Sequence, residues 1–353
     1  MSWQEGTFEV STLRSPQKRR IVMNSALRST HVSKPVMGET GRVAPSGMPA
    51  TEIPVVSVVL PTYNRLPLLR EAIASIVRQT FGDWELIVVD DGSTDDTRGY
   101  LEAIDDPRVR PLWMEHRGDL TSARSAGLKH ARSKWVAFLD SDDVWLPIKL
   151  EVQLRRLAAQ PECRWSYTGY SLIDTEGASL PERSDLLPRP VSGYILEPLL
   201  RFKLSTPVPT MLVQRSLIEE IGGFDEAIPI HSDYDFALRL AAHSEVLALP
   251  DILTLVREHP DRTTARLRLA ELCADQERVF RKAAAATTDP KMRVLCLHQC
   301  AMQLAGQAAA LSRERSHGAA FAALVRAARI TPFNGVVWRT AAGCAVRALG
   351  AFK

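Results

Sequence analysis

Residues 135–145 read WVAFLDSDDVW, an apolar run that ends in three aspartates. A short run of β-branched and aromatic residues predicts a buried strand, and open α/β sheets bind their ligands at the carboxyl ends of their strands. Like charges this close together raise one another's pKa unless a positive charge is nearby. A divalent cation is the simplest such charge, so Asp140, Asp142 and Asp143 point to a metal site.

Two further strand patterns precede this stretch. Residues 55–60 read VVSVVL, and residues 85–89 read ELIVV and run into Asp90 and Asp91. Leucine, isoleucine and valine recur at helical spacing between them, which predicts a parallel pair of strands joined by a right-handed helical crossover. With a third strand at 109–113, the opening stretch becomes the fourth strand. Its aspartates should then stand beside Asp90 and Asp91 on one edge of the sheet.

Polar residues mark the expected beginnings of three helices. Ser93 or Thr94 is placed to cap a helix that starts with two aspartates, Asp119 to cap a helix that contains Arg124, and Ser232 to cap a helix over 233–240. The first and third of these would therefore begin next to acidic side chains.

The composition is that of an ordinary globular protein. The 353 residues are 45% hydrophobic and 24% charged, and the net charge of +3 gives no argument for a nucleic-acid partner. Five cysteines suggest neither a disulfide framework nor a zinc site and fit a reducing cytoplasm. Residues 1–42 lack a signal-peptide core, and no apolar run reaches the ~20 residues of a spanning helix. We expect a cytoplasmic protein, with peripheral contact at the inner face of the membrane left open.

Three regions follow from changes in pattern. Residues 1–52 read as a disordered tail, in which Lys18-Arg19-Arg20 is either solvated or in contact with an anionic membrane. Residues 53–262 should form one α/β domain, and residues 263–353 a helical region rich in Ala, Leu and Arg. The last helices of this region are basic and amphipathic. They could lie on a membrane, or pack on the α/β domain or a second subunit, which leaves the oligomeric state open.

Four segments in order resemble the family 2 glycosyltransferases of the GT-A fold. The resemblance covers about residues 54–262 and rests on residues 58–65 (VVLPTYNR), 89–95 (VDDGSTD), 123–127 (ARSAG) and 138–145 (FLDSDDVW). Residues 222–226 (GGFDE) and 232–239 (SDYDFALR) are similar to that family's acceptor-side segments. The resemblance implies a Rossmann-like mixed α/β sheet with the helical region as an appendage.

The same resemblance implies roles for individual residues. Pro61, Tyr63 and Asp91 would line the nucleotide pocket, with Asp90 beside them and Arg124 near the base or the phosphates. Four of these residues lie at the ends of the first two predicted strands, and Arg124 lies on the helix that Asp119 is placed to cap. They would hold the nucleotide-diphosphate sugar donor.

The acidic residues receive the catalytic roles. Asp140 and Asp142 match the family's Asp-x-Asp motif, with Asp142 the more direct ligand to Mg²⁺ or Mn²⁺ and Asp143 a structural acid at the turn. Asp233 matches the catalytic base. Ser232 stands where the family often has glutamate, so the supporting acid is missing. The Gln-x-x-Arg-Trp motif of processive members is not evident, which favours transfer of one sugar at a time.

These assignments predict inverting, metal-dependent transfer of a sugar to a glycan or lipid-linked acceptor in cell-surface polysaccharide synthesis. A hard cation with oxygen ligands suits a diphosphate leaving group, and an aspartate can take the proton of the attacking hydroxyl. Two other functions remain open at this point. A site that holds a nucleotide and a metal ion could also catalyse nucleotidyl transfer. The altered pair Ser232-Asp233 is compatible with a non-catalytic protein that only binds a sugar nucleotide.

Each candidate residue also has a simpler interpretation. Asp140 and Asp142 could cap a loop or helix, Asp233 could serve the helix dipole, and Arg124 could pair with a carboxylate of the rim. Aromatic residues usually pack, which is the simpler reading of Tyr63 and Trp145. His231 and His259 read as surface or loop histidines, although His259 could approach a phosphate.

Overall fold

The computed structural model describes residues 53–260 and 267–350. The predictions for the tail at 1–52 and for the exact domain boundary at 262–263 lie outside the described residues. The strands are β1 (Val56–Thr62), β2 (Trp84–Asp90), β3 (Val109–Trp113), β4 (Trp135–Phe138), β5 (Val144–Trp145), β6 (Trp165–Ile173), β7 (Met211–Gln214) and β8 (Val246–Arg257). The helices are α1 (Leu66–Val77), α2 (Thr97–Glu102), α3 (Leu120–His130), α4 (Lys149–Ala158), α5 (Pro181–Ser184), α6 (Leu196–Leu200), α7 (Arg215–Glu220), α8 (Ser232–His243), α9 (Leu269–Ala286), α10 (Pro290–Arg313), α11 (His317–Ile330) and α12 (Gly335–Gly350).

The strands form one mixed sheet in the order β3-β2-β1-β4-β7-β6-β8-β5. The first four strands are parallel, β7 runs antiparallel to both β4 and β6, and β8 is parallel to β6. The predicted parallel arrangement of the first four strands is therefore confirmed. Because β2, β1 and β4 are neighbours, the loops after their carboxyl ends lie side by side.

Helices cover both faces of this sheet, so the central strands are buried and mostly apolar. Every residue of β1 and β2 is buried. Val59 contributes to the core on one face, whereas Val58 and Leu60 contribute to the core on the other. On the first face α3 approaches β1 closely, because a Cβ at Gly127 would lie 2.4 Å from Val59 Cγ1. This close approach brings Arg124, one turn earlier on α3, to the edge where the strands end.

The C-terminal helices extend the same structure. Phe280 of α9 is buried in the core that contains Phe236 of α8, and α10 packs against α9, α11 and α12. Within the described ranges, none of the helices combines the length and the apolar composition needed to cross a membrane.

Two elements differ from the sequence predictions. The α2 helix begins at Thr97, and neither Ser93 nor Thr94 caps it, because Ser93 bonds to Asp90 and Thr94 bonds to Asn64. Strand β8 was not predicted at all, because Pro250 and Asp251 interrupt its apolar pattern. The other caps are close to expectation: Asp119 accepts hydrogen bonds from the first turn of α3, and α8 begins at Ser232 itself.

Candidate active site

Asp90, Asp91, Asp140 and Asp142, together called the rim, lie where β2 and β4 end, on either side of the end of β1. Thr62 pairs with Asp90 at the end of the β1 and β2 ladder, and the backbone N–H of Leu139 continues the β1 and β4 ladder by donating to the carbonyl of Val59 at 3.0 Å. Asp140 follows directly. The β1 end therefore lies between the aspartates of β2 and those of β4, as the parallel arrangement predicts.

Asp140 pairs with a buried arginine of α3. Arg124 donates to Asp140 Oδ1 at 2.6 Å, and its side chain is 4% exposed. Burial lowers the pKa of Arg124, but the charges of Asp140, Asp233 and Asp142 outweigh that effect and raise it. Arg124 thus forms the ion pair with a rim carboxylate that its simpler interpretation predicts, and its contact with a nucleotide stays a prediction. Asp140, Asp142 and Asp233, which come from two separate parts of the chain, thus all interact electrostatically with this guanidinium.

The rim carries more negative charge than Arg124 compensates. Burial raises the pKa of Asp140, Arg124 opposes that shift, and the neighbouring charges of Asp142 and Asp233 raise the pKa further. The net direction is upward even with Arg124 bound. An additional cation beside Asp140 would stabilise its ionised form.

Asp142 meets two residues that the sequence places far from it. Arg65 donates to Asp142 Oδ2 at 2.6 Å, and His259 Nε2 lies 2.9 Å from the same oxygen. His259 lies in the loop that follows β8, as predicted, but its side chain is only 6% exposed and therefore does not lie at the surface. Strand β8 explains the difference, because it ends two residues before His259 and pairs with β5, which follows the acidic turn.

The arginine that ends β8 fixes the acidic turn. The backbone N–H of Arg257 donates to Asp143 Oδ1 at 2.9 Å, and its Nε donates to the carbonyl of Asp142 at 3.0 Å. Arg257 also donates to Glu71 of α1 and to the carbonyls of Asp174 and Thr175. Asp143 is therefore bound to backbone, which is the structural role predicted for it. In the sequence, only their position after an apolar run indicates that Arg257 and His259 belong to the site.

Asp90 and Asp91 organise the loops beside the rim. Asp90 accepts hydrogen bonds from Ser93, whereas Asp91 accepts from the backbone N–H groups of Arg117 and Gly118, both at 2.9 Å. The ring of His116 lies against Asp91 as well, with Nδ1 3.0 Å from Oδ2. In this structure both carboxylates thus support loops, and a nucleotide would meet them within that framework.

An aromatic pair covers the same loops. The ring of Tyr63 stacks on His116 at a centroid distance of 4.0 Å, and Tyr63 is 38% exposed. The neighbouring Gly92 has a φ of +74°, and a Cβ there would lie 2.8 Å from the backbone nitrogen of His116. Only glycine tolerates both conditions. Tyr63 therefore presents an aromatic surface at the end of β1, whereas Pro61 and Trp145 are buried, with Trp145 packed as its simpler reading predicts.

Two buried polar atoms at the rim lack a protein partner. They are Thr62 Oγ1 and Arg124 Nε, neither of which forms a hydrogen bond within the described residues. Buried polar groups are rarely left unsatisfied, and a polar ligand at the rim would supply the missing partners.

Asp233 approaches the rim from α8. It stands in the first turn of that helix, and its charge raises the pKa of both Arg124 and Asp140. Asp235, on the same turn, is buried and bound by Arg239 and Lys282. Within the described residues Asp233 forms no ion pair and remains partly exposed. Of the two acids, Asp233 is thus the one available for proton transfer.

The metal-binding capacity of the rim rests on two atoms. Among residues 53–260 and 267–350, no three His, Cys, Asp or Glu side chains converge as a metal-binding group. Asp142 Oδ2 and His259 Nε2, however, lie 2.9 Å apart. Adjacent ligands of an octahedral ion with bonds of about 2.1 Å are separated by about 3 Å. Mg²⁺ and Mn²⁺ need only one or two protein ligands when a diphosphate and water supply the rest, so these residues fit such an ion.

Several curated proteins are similar in sequence to part of this chain. The putative teichuronic acid biosynthesis glycosyltransferase TuaG of Bacillus subtilis is 40% identical over 129 residues, 36% of this chain and 51% of TuaG. UDP-Glc:alpha-D-GlcNAc-diphosphoundecaprenol beta-1,3-glucosyltransferase WfgD of Escherichia coli is 36% identical over 120 residues, 34% and 47% of the two chains. The chain thus spans about half the length of these two relatives. Glycosyltransferase RT0329 of Rickettsia typhi is 32% identical over 222 residues, 61% and 67% of the two chains.

Solved structures share the fold. The crystal structure of S. aureus TarS 1-349 in complex with UDP-GlcNAc has a TM-score of 0.62 at 18% identity, covering 79% of this chain and 82% of that one. The mannosyltransferase PcManGT from Pyrobaculum calidifontis, in complex with GDP-Man and Mn²⁺, has a TM-score of 0.53 at 22% identity, covering 84% and 81%. The GT-A fold and its helical appendage are therefore confirmed.

The sequence profile described as Glycosyl transferase family 2 matches residues 57–219, the part of the chain that builds the rim. Together with the length shared with RT0329, this match shows that the chain belongs to glycosyl transferase family 2.

Proposed function

We propose that this chain is an inverting, metal-dependent glycosyltransferase that moves one sugar at a time from a nucleotide-diphosphate sugar to a glycan or lipid-linked acceptor. The observation that carries the proposal is the buried ion pair between Arg124 and Asp140 at 2.6 Å, with Asp142 and Asp233 near enough to raise the pKa of Arg124 as well. Two of these acids follow a strand and the third begins a helix. Such an arrangement suits a site that holds a diphosphate on one side and a reacting hydroxyl on the other.

The donor side comprises the ends of β1 and β2 with α3. Tyr63 offers an aromatic face for a nucleobase, beside Pro61 and the loops held by Asp90 and Asp91. Arg124 is a buried cation whose Nε has no hydrogen-bond partner among the described residues, which suits the phosphates of the donor. The UDP-GlcNAc complex of TarS and the GDP-Man complex of PcManGT support a nucleotide sugar as donor.

The metal side comprises the turn after β4. We assign Asp142 and His259 as ligands and Asp140 as their acidic neighbour, with Mg²⁺ or Mn²⁺ as the ion. A bound ion supplies charge stabilisation to the departing diphosphate. The protein's own contribution is positional, because Arg257 fixes the backbone of Asp142 and the side chain of Asp143. The Mn²⁺ in the PcManGT complex supports a divalent cation at such a site.

Asp233 acts as the base in this proposal. The acceptor hydroxyl transfers its proton to the carboxylate as its oxygen bonds to the anomeric carbon. The bond from that carbon to the diphosphate oxygen breaks at the same time, and its electron pair leaves with the nucleoside diphosphate. Because one displacement occurs and no protein nucleophile takes part, the product has the inverted anomeric configuration. Proton transfer to a positioned carboxylate contributes about 10²- to 10⁴-fold.

The acceptor and location are proposed from the relatives and from surface chemistry. WfgD is named for a diphosphoundecaprenol-linked substrate and TuaG for a cell-wall polysaccharide, which supports a lipid-linked acceptor in cell-surface polysaccharide synthesis. All five cysteines are free thiols, in keeping with a cytoplasmic location.

We assign the membrane contact to α11 and α12. Residues 317–350 contain four arginines and no acidic residue. One face packs on α10 through small residues, whereas Phe321 and Trp338 on the other are 69% and 57% exposed and line an apolar groove of about 430 Å³. Arg326 and Arg347 contact Glu277 and Ser312, whereas Arg329 and Arg339 are exposed. Exposed apolar side chains together with exposed arginines suit a bilayer of anionic lipids.

Vesicle sedimentation tests the membrane contact. Full-length protein should pellet with vesicles of phosphatidylglycerol and phosphatidylcholine at low salt, less at high salt, and little with phosphatidylcholine alone. Phe321→Ser with Trp338→Ser should weaken the binding, whereas Leu186→Ser, an exposed apolar residue of the catalytic domain, should not. Equal binding to both vesicle types, or a dimer lost in the double variant, would contradict this contact.

Product analysis tests the function. Labelled nucleotide sugars are screened by thermal shift with and without Mn²⁺, since a true donor raises the melting temperature in a metal-dependent way. The donor that binds is then incubated with lipid-linked acceptors. Release of nucleoside diphosphate with labelled acceptor is the expected result. Release of pyrophosphate would indicate nucleotidyl transfer instead, and binding without any product would indicate a sugar-nucleotide-binding protein.

A further inference from the structure

A buried acid of the helical appendage holds the chain just before Asp233. Asp275 of α9 is 1% exposed, and its Oδ2 accepts hydrogen bonds from the backbone N–H groups of Ile230 at 3.2 Å and His231 at 2.8 Å. The ring nitrogen Nδ1 of His231 lies 3.1 Å from the same oxygen. Burial raises the pKa of Asp275, but the bonds from His231 outweigh that effect and lower it, so the carboxylate is ionised.

The beginning of α8 depends on such external support. His231 is the N-cap residue, and its side chain makes no capping bond to the helix. The hydroxyl of Ser232 accepts a hydrogen bond from Thr121 of α3 at 2.8 Å and so is engaged away from the helix. Asp275 therefore fixes the backbone at the two positions that precede Ser232. Asp233 follows directly after Ser232.

A second contact joins the same two helices. Lys282 of α9 donates to Asp235 at 3.0 Å and to Asp225 at 2.7 Å. The first turn of α8 is thus bound to α9 on both sides of Asp233, at 230–231 and at 235. A catalytic carboxylate must be held within a fraction of an ångström of its productive position, and a displacement of about 1 Å can cost about 10²-fold in rate.

We propose that Asp275 is a positioning residue for Asp233, so that the helical appendage takes part in the reaction by fixing the base. This inference rests on the proposed function. In this proposal Asp275, on a different helix, takes the place of the acid that is missing at Ser232. It does so by accepting hydrogen bonds from the backbone of Ile230 and His231, just before Asp233.

Kinetics of Asp275 variants test the proposal. We expect Asp275→Ala to lower kcat about 10- to 100-fold with the KM for the donor changed less than about twofold, because the donor binds at the strand ends. Rates are expressed per donor-binding site, counted by titration, so that unfolded protein does not contribute. Asp275→Asn keeps an oxygen acceptor without its charge, so its loss should be intermediate. Asp289→Ala, which removes a cap of α10 alone, is the matched control.

A double-mutant cycle separates positioning from general support of the fold. In the Asp233→Asn background, Asp275→Ala should change the residual kcat less than about twofold, because the base is already absent. A further drop of 10-fold or more there, or a donor KM that rises in step with the loss of kcat, would overturn the positioning role. Failure of the proposed function looks different, because Asp233→Asn alone would then retain full turnover.

Discussion

Asp140 and Asp142 leave a central strand of the sheet, whereas Asp233 stands in the first turn of a helix that is bound by another helix much later in the chain. The first pair is fixed by the β1 and β4 ladder and by Arg257, the last residue of β8, whose Nε donates to the carbonyl of Asp142. Asp233 depends on Asp275 and Lys282, which belong to the appendage. The donor half of the site is thus built by the sheet, and the base half by helix packing.

The largest effect should come from the sheet-built half. Asp142→Ala removes a proposed metal ligand, which is worth several kcal/mol of transition-state stabilisation, so metal-dependent turnover should fall about a thousandfold. Asp143→Ala removes the acceptor for the Arg257 backbone instead and should do less harm to turnover per folded molecule. Steady-state rates at several Mn²⁺ concentrations measure both. Equal losses of turnover in the two variants would contradict the prediction that Asp142 matters more than Asp143.

His259 tests whether β8 belongs to the same half. Replacement by alanine should weaken Mn²⁺ binding about 10- to 100-fold, with turnover partly recovered at high Mn²⁺. His243, which bonds only to its own helix in the described structure, gives the matched control, since His243→Ala should leave Mn²⁺ affinity unchanged. Mn²⁺ titrations followed by electron paramagnetic resonance in the presence of the donor supply the measurement. An affinity unaffected by His259→Ala would remove this residue from the metal site.

Arg257 tests how the turn is held. Arg257→Met loses three hydrogen bonds to carbonyl oxygens, at about 1 kcal/mol each, so the free energy of unfolding should fall by about 3 kcal/mol. Chemical denaturation measures that change. Arg201→Met, which breaks only an exposed contact with Glu197, should leave stability within error of the parent protein. A stable Arg257→Met variant with full Mn²⁺ affinity would show that the turn needs no such anchor.

A pH-dependent effect should appear away from the acidic residues of the site, at Lys149. This side chain is fully buried, donates to Gln153 at 2.7 Å, and burial lowers its pKa well below the ordinary range. The unfolded chain takes up a proton that the folded chain does not, so stability should rise with pH up to about 10.4, by at most about 1.4 kcal/mol per unit. Lys149→Met should lose this slope relative to the parent protein. Denaturation between neutral pH and pH 10 tests it, with exposed Lys129→Met expected to keep the slope.

The sequence predicted the sheet-built half well. Alternating cores on the two faces of β1 and β2 follow from apolar strands, and parallel pairing brings Asp90 and Asp140 to one edge. Asp119 also caps α3 as predicted, because capping is a local property of the sequence. Short-range pattern and the rules of parallel sheets suffice for these features.

The missed features depend on contacts between distant residues. His259 meets Asp142 only because β8 folds beside β5, and the pattern of β8 is interrupted at Pro250. Asp275 and His231 come together through the packing of α9 on α8, and no local motif predicts that pairing. Ser93 fails as a cap because Asp90 binds its hydroxyl, a competition that spacing alone does not reveal.

The most direct measurement is the transfer rate of Asp233→Asn, with Asp251→Asn as a control that also removes one carboxylate, from an exposed position on β8. Rates are expressed per donor-binding site, and donor binding is measured with and without Mn²⁺. The account predicts that Asp233→Asn binds the donor in the same metal-dependent way and loses about 10²- to 10⁴-fold in turnover, while Asp251→Asn keeps both. Turnover of Asp233→Asn equal to that of the parent protein would contradict the account.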